Sequence, residues 1–214
     1  MKYHKLVENA KKPNGFWGKM MIKAMNKGHS SLTSWGLEHM NVERTATVLD
    51  IGCGGGKTVD RLCSIVANGK VYGIDYSELS VKSSEKLNSK NILCNKAKIL
   101  QASVSDMPFD DNTFDNITAV ETYYFWPDKE NDVKEVFRVL KQGGTVMLLF
   151  EMLRTDDDPF KWEKVENMLN IKSVTPQEIR AVLESAGFEN INTYTKEGTT
   201  WLCATAQKPK DDEN

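Results

Sequence analysis

From Thr47 onward, apolar residues fall into short runs that alternate with segments of helical spacing. Val48-Leu-Asp-Ile51 reads as a strand, and Lys57–Asn68 carries Val59, Leu62, Ile65 and Val66 at helical intervals. Val71-Tyr-Gly-Ile74 predicts a second strand, and Ser77–Ser89 a second helix with Ser77 as its N-cap. Lys98–Ala102 and Phe114–Val120 predict the third and fourth strands, the latter entered through the turn Asp110–Thr113. Lys129–Leu140 places Val133, Val136, Phe137 and Leu140 on one helix face. Gly143-Gly144 closes that helix before a fifth strand, Thr145–Phe150. Such alternation means a parallel sheet covered by helices on both faces.

The two ends differ. Residues 1–45 read as irregular helix, broken by Pro13-Asn-Gly15, Gly28 and Gly36. Thr175-Pro-Gln-Glu178 is a capping box with Pro at the first helical position, and Gly187 stops that helix. Asn190–Thr195 and Thr199–Gln207 alternate around Glu197-Gly198, the signature of an antiparallel hairpin. Boundaries follow at 1–45 (helical lid or extension), 46–208 (the α/β domain) and 209–214 (a disordered tail).

Charge narrows the partners. There are 28 Lys+Arg against 30 Asp+Glu, a net charge of -2, so no broad positive field attracts nucleic acid. Cys53, Cys63, Cys94 and Cys203 form no C-x-x-C pair or Cys/His cluster, which argues for reduced thiols and against a zinc site or disulfide framework. No apolar run has the length of a membrane span, and the first residues lack a signal-peptide core. A soluble, cytoplasmic protein is expected, with a homodimer left open.

The chemistry concentrates where the first strand ends, at Asp50-Ile-Gly52-Cys-Gly54-Gly-Gly56-Lys-Thr58. Glycines let the backbone turn tightly there and approach a ligand. Three ligand classes use such a turn. A P-loop needs its first glycine at position 51, which is Ile51, and a dinucleotide fingerprint needs its third at 57, which is Lys57. Both miss by one position. What stands is D-x-G-x-G-x-G, on Asp50, Gly52, Gly54 and Gly56. Asp75, at the end of the second strand, lies near the roughly 20-residue spacing at which an acid accepts hydrogen bonds from ribose hydroxyls.

VLDIGCGGGKT resembles the first motif of class I S-adenosylmethionine-dependent methyltransferases. Gln101–Asp115, with Met107-Pro-Phe109 and Phe114-Asp115, is similar to a later stretch of that family, and Val139-Leu-Lys-Gln-Gly-Gly144 to another in which Gln142 replaces a proline. The resemblance runs from about Val48 to Phe150, in order and with family spacing. It implies a Rossmann-like, doubly wound, mostly parallel seven-stranded sheet, with the C-terminal hairpin and the N-terminal helical extension attached. It further implies S-adenosylmethionine as cofactor. The methionine part would cross Gly52, Cys53 and Gly54, with Asp50 orienting its amino group and Asp75 holding its ribose. Ser103, where the family carries an acid, and the Val104 amide would face the adenine, ahead of the nearby Asp106. Tyr76 and Glu121 complete the cofactor-binding set.

Methyl transfer from a sulfonium needs alignment and desolvation, and a base only if the acceptor loses a proton. The end of the fourth strand, Glu121-Thr-Tyr-Tyr-Phe-Trp126, should face the methyl group. It lacks the [DNS]-P-P-[FY] signature of enzymes acting on planar amino nitrogens and the Pro-Cys pair of cytosine C5 enzymes. Glu121 is the candidate base or a partner for a cationic acceptor, or else an exposed strand-end acid, and Tyr123 to Trp126 could wall an apolar pocket or fill core. Of the histidines His4, His29 and His39, His29 has the best site context, and Glu151 ends the fifth strand on the same edge. Glu121, Tyr123 and His29 are thus the catalytic candidates, and no metal is expected. The whole chain resembles the bacterial small-molecule "type 11" methyltransferases, so the expected partner is a small-molecule acceptor of unidentified structure. Quinone precursors stay open, because the ubiquinone/menaquinone C-methyltransferases share the core. A non-catalytic module that senses S-adenosylmethionine or joins a complex is the competing reading.

Overall fold

The computed structural model describes residues 9–210, so His4 and residues 211–214 of the expected tail lie outside the described residues. Strands β1 (Thr47–Ile51), β2 (Lys70–Asp75), β3 (Ala97–Gln101), β4 (Phe114–Val120), β5 (Leu140–Phe150), β6 (Glu189–Thr195) and β7 (Leu202–Gln207) form one sheet. Their order is β3-β2-β1-β4-β5-β7-β6. The first five run parallel, whereas β7 pairs antiparallel with both β5 and β6. Chain order reverses between β1 and β4. In a doubly wound sheet the crevice at the carboxyl ends beside such a reversal receives the ligand.

Helices α1 (Gly15–Gly28) and α2 (Ser30–Leu37) precede the sheet. α3 (Lys57–Ile65), α4 (Glu78–Leu87), α5 (Ser89–Leu93) and α6 (Lys129–Val139) connect its parallel strands, and α7 (Glu163–Leu169) and α8 (Pro176–Ser185) precede the hairpin. The expected caps form. Ser77 Oγ accepts the Ser80 amide at 3.4 Å, and Thr175 and Glu178 close a reciprocal capping box.

Three local expectations shift. The Ser77–Ser89 run divides into α4 and α5 at Asn88, whose side-chain amide donates to the Gly56 and Ser84 carbonyls at 3.0 Å each. Gly143 and Gly144 do not cap α6, because Leu140 is already extended and pairs with Phe114. They lie inside β5, where the ladder with β4 shifts register and Gly143 takes φ +72°. Gly36 does not break its helix. A Cβ there would come within 2.7 Å of the Leu149 side chain, so the glycine lets α2 lie directly on β5.

One face of the sheet buries Leu49, Ile117, Leu148 and Phe150 beneath α6 and α8. The other buries Val48, Val59, Leu62 and Val71 around α3, while Leu32 and Met40 pack on Met147, Leu149 and Cys203. Each fully buried aliphatic side chain contributes about 1.5–3 kcal/mol from apolar burial, offset in large part by lost chain entropy. α2 therefore shares a core with the central strands and holds the preceding residue, His29, against the sheet edge. Among the described residues, no helix is long and apolar enough to cross a membrane. All four cysteines are free; Cys53, Cys63 and Cys203 are buried and Cys94 is exposed.

Candidate cofactor and active site

The turn after β1 owes its shape to three alternate glycines. Gly52, Gly54 and Gly56 have φ of +68°, +51° and +81°, a region that L side chains rarely adopt. A side chain at Gly52 would also collide with Thr122 Oγ1, at 2.1 Å. Gly52 and Gly54 line the recesses at the crevice, directly before the first amides of α3.

Two carboxylates frame this turn. Asp50 is buried and accepts the Thr118 hydroxyl at 2.7 Å. Burial pushes its carboxyl up to about 7, opposed by the Thr118 hydrogen bond and reinforced by Asp75. Asp75 accepts the Gly54 amide at 2.9 Å on Oδ2 and the Ser77 amide at 2.8 Å on Oδ1. Burial raises its pKa too, against those two bonds and a hydrogen bond from the Ser80 side chain. Two oxygens with about four lone-pair sites leave Asp75 acceptor capacity for an incoming hydroxyl. Cys53 is buried, and its amide donates to the Ile74 carbonyl at 2.9 Å, so it ties the turn to β2. Tyr76 donates its hydroxyl to the Lys11 carbonyl, and Ser77 Oγ donates to the Pro13 carbonyl at 3.0 Å. The segment before α1 is thus latched over the end of β2.

A cavity of about 680 Å³ opens beside Asp75 and Tyr76. Ser103 and Val104 line it, with the Val104 side chain buried, whereas Asp106 is exposed and does not. Thr122, Tyr124, Phe125 and Trp126 form the wall beyond β4, and Asn170, Ile171 and Lys172 close the far side. A second, smaller recess holds Met25, Asn26 and His29 against Asp50, Gly52 and Gly54, and a third joins Glu121 to the same turn.

Residues 123–125 form a 3-10 turn, so strand alternation does not apply to the aromatic cluster. Tyr123 is buried, with its ring 5.7 Å from Phe150 and 5.2 Å from Trp126. It belongs to the core and does not line the cavity, which leaves Tyr124 as the tyrosine of the site. Tyr124 Oη donates to Glu121 Oε1 at 3.3 Å and accepts the Met152 amide at 3.0 Å. Glu121 adopts φ +56° and also accepts the Glu151 amide, so its carboxylate bridges the ends of β4 and β5. Burial pushes it up to about 8, against the lowering effect of that amide.

His29 Nε2 lies 3.8 Å from Glu151 Oε2, and burial lowers its pKa while Glu151 opposes the shift. His29, Glu121 and Glu151 each place one donor atom within 4.8 Å of the others. His39 is remote from this group and stacks on Tyr194 at 4.0 Å. Lys129 and Lys172 were not legible as site residues, because they are far apart in sequence and meet only through the fold.

A family model described as "Methyltransferase domain" matches residues 49–148. The uncharacterized methyltransferase YdaC of Bacillus subtilis (strain 168) is 27% identical over 85% of this chain and 93% of its own length. The ubiquinone/menaquinone biosynthesis C-methyltransferase UbiE of Cronobacter sakazakii is 32% identical over 73% of this chain and 72% of its own. Among solved structures, a putative methyltransferase of Haloferax volcanii in complex with the Trm112 activator superposes with TM-score 0.74 at 20% identity. That match covers 88% of this chain and 93% of the other. S-adenosylmethionine fits the crevice: Gly52 and Gly54 leave room beside the recess for the methionine part, Asp75 can take ribose hydroxyls, and Val104 borders space for a base. With sequence, fold and crevice in agreement, the chain belongs to the class I S-adenosylmethionine-dependent methyltransferases, in the type 11 group.

Proposed function

We propose that the chain transfers a methyl group to a small-molecule acceptor seated against Tyr124, Phe125 and Trp126. The observation that carries this reading is the continuity of one cavity, from the adenosyl side at Asp75 and Val104 to the aromatic wall beyond β4. A site for cofactor alone would need no such second half. When bound, the cofactor supplies an electrophilic methyl on a sulfonium. The aromatic faces of the wall suit a cationic centre and exclude water from it.

In this reading Asp50 and the Gly52–Gly54 backbone hold the methionine part, with Cys53 fixing the turn. Asp75 beside Tyr76 holds the ribose, and Ser103 and Val104 face the adenine. Glu121, held by Tyr124 and the Glu151 amide, shares the recess beside the glycine turn with Phe125 and is the proton acceptor, once ionised, for an acceptor that must lose a proton. Burial pushes its carboxyl up to about 8, so the ionised fraction that can take a proton grows as pH rises toward that value. His29, kept neutral by burial, stands between the recess and Glu151 and can pass that proton outward. Tyr123 supports the wall from behind.

The direct test supplies tritium-labelled S-adenosylmethionine and a fractionated small-molecule extract. Label should enter a small molecule with the wild-type protein and not with Asp75→Ala. Cofactor binding with no labelled product in any fraction would favour a non-catalytic module.

A further inference from the structure

The two halves of the large cavity differ in charge. On the adenosyl half the lining carboxylate is Asp75, and both its oxygens already accept backbone amides. Glu121 does not line this cavity; its carboxylate is turned to Tyr124 and the Glu151 amide. On the acceptor half the charged lining residues are Lys129 and Lys172, with Lys11 adding a third cation near Tyr76. This local sign runs against a chain whose net charge is -2.

We propose that the acceptor is an organic anion, a carboxylate or a phosphate ester on a flat apolar body, whose charge is held by Lys129 and Lys172. The proposal rests on the methyltransferase reading and names the substrate class of that site. Lys129 is partly buried, and its ammonium sits 5.4 Å from the centre of the Tyr123 ring, which fixes it at the cavity edge. Burial lowers the Lys129 pKa, Glu178 opposes the shift and Lys172 adds to it. Glu178 is shared with Arg154 and the Thr175 amide. An anion in the cavity would offset both the desolvation of Lys129 and its repulsion by Lys172. Trp126 adds a buried indole N–H that has no partner among the described residues. Tyr124, Phe125, Trp126 and Ile171 offer apolar faces to the body of the ligand.

The test loads the protein with S-adenosylhomocysteine and titrates it with 2-naphthoate, 2-naphthyl phosphate, neutral 2-naphthamide and 2-naphthylmethylammonium. At least one anion should bind about 10-fold or more tightly than the amide, and the ammonium least tightly. The two anions distinguish a carboxylate acceptor from a phosphate one. Lys129→Ala and Lys172→Ala should each weaken the anion by about 10-fold or more, with Lys129→Arg restoring it and amide and S-adenosylhomocysteine affinities unmoved. Lys172→Glu, on an exposed side chain, should reverse the preference toward the ammonium. An amide that binds as well as both anions overturns the proposal. So do anions indifferent to both lysine variants, or anions that fail to bind while S-adenosylhomocysteine binds. Failure of S-adenosylhomocysteine itself to bind would overturn the underlying methyltransferase reading with it.

Discussion

Asp75 Oδ2 accepts the Gly54 amide at 2.9 Å, so the acid that ends β2 and the glycine turn that follows β1 are one unit. The turn positions the carboxylate, and the carboxylate holds the turn. Replacing Asp75 by Asn removes one acceptor oxygen and leaves either the Gly54 or the Ser77 amide facing a donor. Affinity for S-adenosylhomocysteine should fall by about 10- to 100-fold, the loss expected for hydrogen bonds to a charged group. Calorimetry on a variant of unchanged circular dichroism checks it.

Gly52→Ala should damage folding and binding together. The added Cβ meets Thr122 Oγ1 at 2.1 Å and must adopt φ +68°, two separate costs of about 1–3 kcal/mol each. Gly28→Ala is the matched control, since a Cβ there meets nothing within 4 Å and Gly28 closes α1. Chemical denaturation should show a clear loss for the first and none for the second.

Stability of the cofactor-free protein should fall as pH rises toward 8. Burial lifts Glu121 from 4.5 to about 8 and Asp50 from 3.8 to about 7. Between those ordinary and raised values the folded chain keeps protons that the unfolded chain has released, so the slope of stability with pH is negative there. Above about 8 these two groups add no further slope. Urea midpoints measured from about pH 5 to about pH 9 should decline, and Glu121→Gln should flatten the decline above 7, where Asp50 no longer contributes.

Chelation should leave function intact, although His29, Glu121 and Glu151 converge within 4.8 Å. Glu121 Oε1 already accepts the Glu151 amide and the Tyr124 hydroxyl, so the carboxylate is oriented by those two donors and not by an ion. Binding of S-adenosylhomocysteine after treatment with EDTA, and melting in the presence of magnesium, manganese or zinc, should match the untreated protein. A metal-dependent rise in melting temperature that Glu121→Gln abolishes would contradict this.

Features that demand special backbone or strand-end chemistry were legible from residue order. Gly52, Gly54 and Gly56 announce left-handed positions, Asp75 and Glu121 announce strand ends, and Thr175–Glu178 announces a helix start. What depends on tertiary contact was not. Gly36 and Gly143-Gly144 read as helix breakers, yet the first permits contact with Leu149 and the others lie inside β5. Tyr123 and Tyr124 are adjacent and chemically alike. Only the 3-10 turn sends one ring into the core and leaves the other on the cavity wall. Lys129 and Lys172 line the same cavity from segments more than forty residues apart, which no local pattern encodes.

Calorimetric titration of the wild-type protein with S-adenosylhomocysteine, beside NAD+ and ATP under the same conditions, bears most directly on the identity of the site. Saturable one-to-one binding of S-adenosylhomocysteine, lost in Asp75→Ala and absent for the other two nucleotides, is the expected result. No heat with S-adenosylhomocysteine, or equal binding of NAD+, would contradict it.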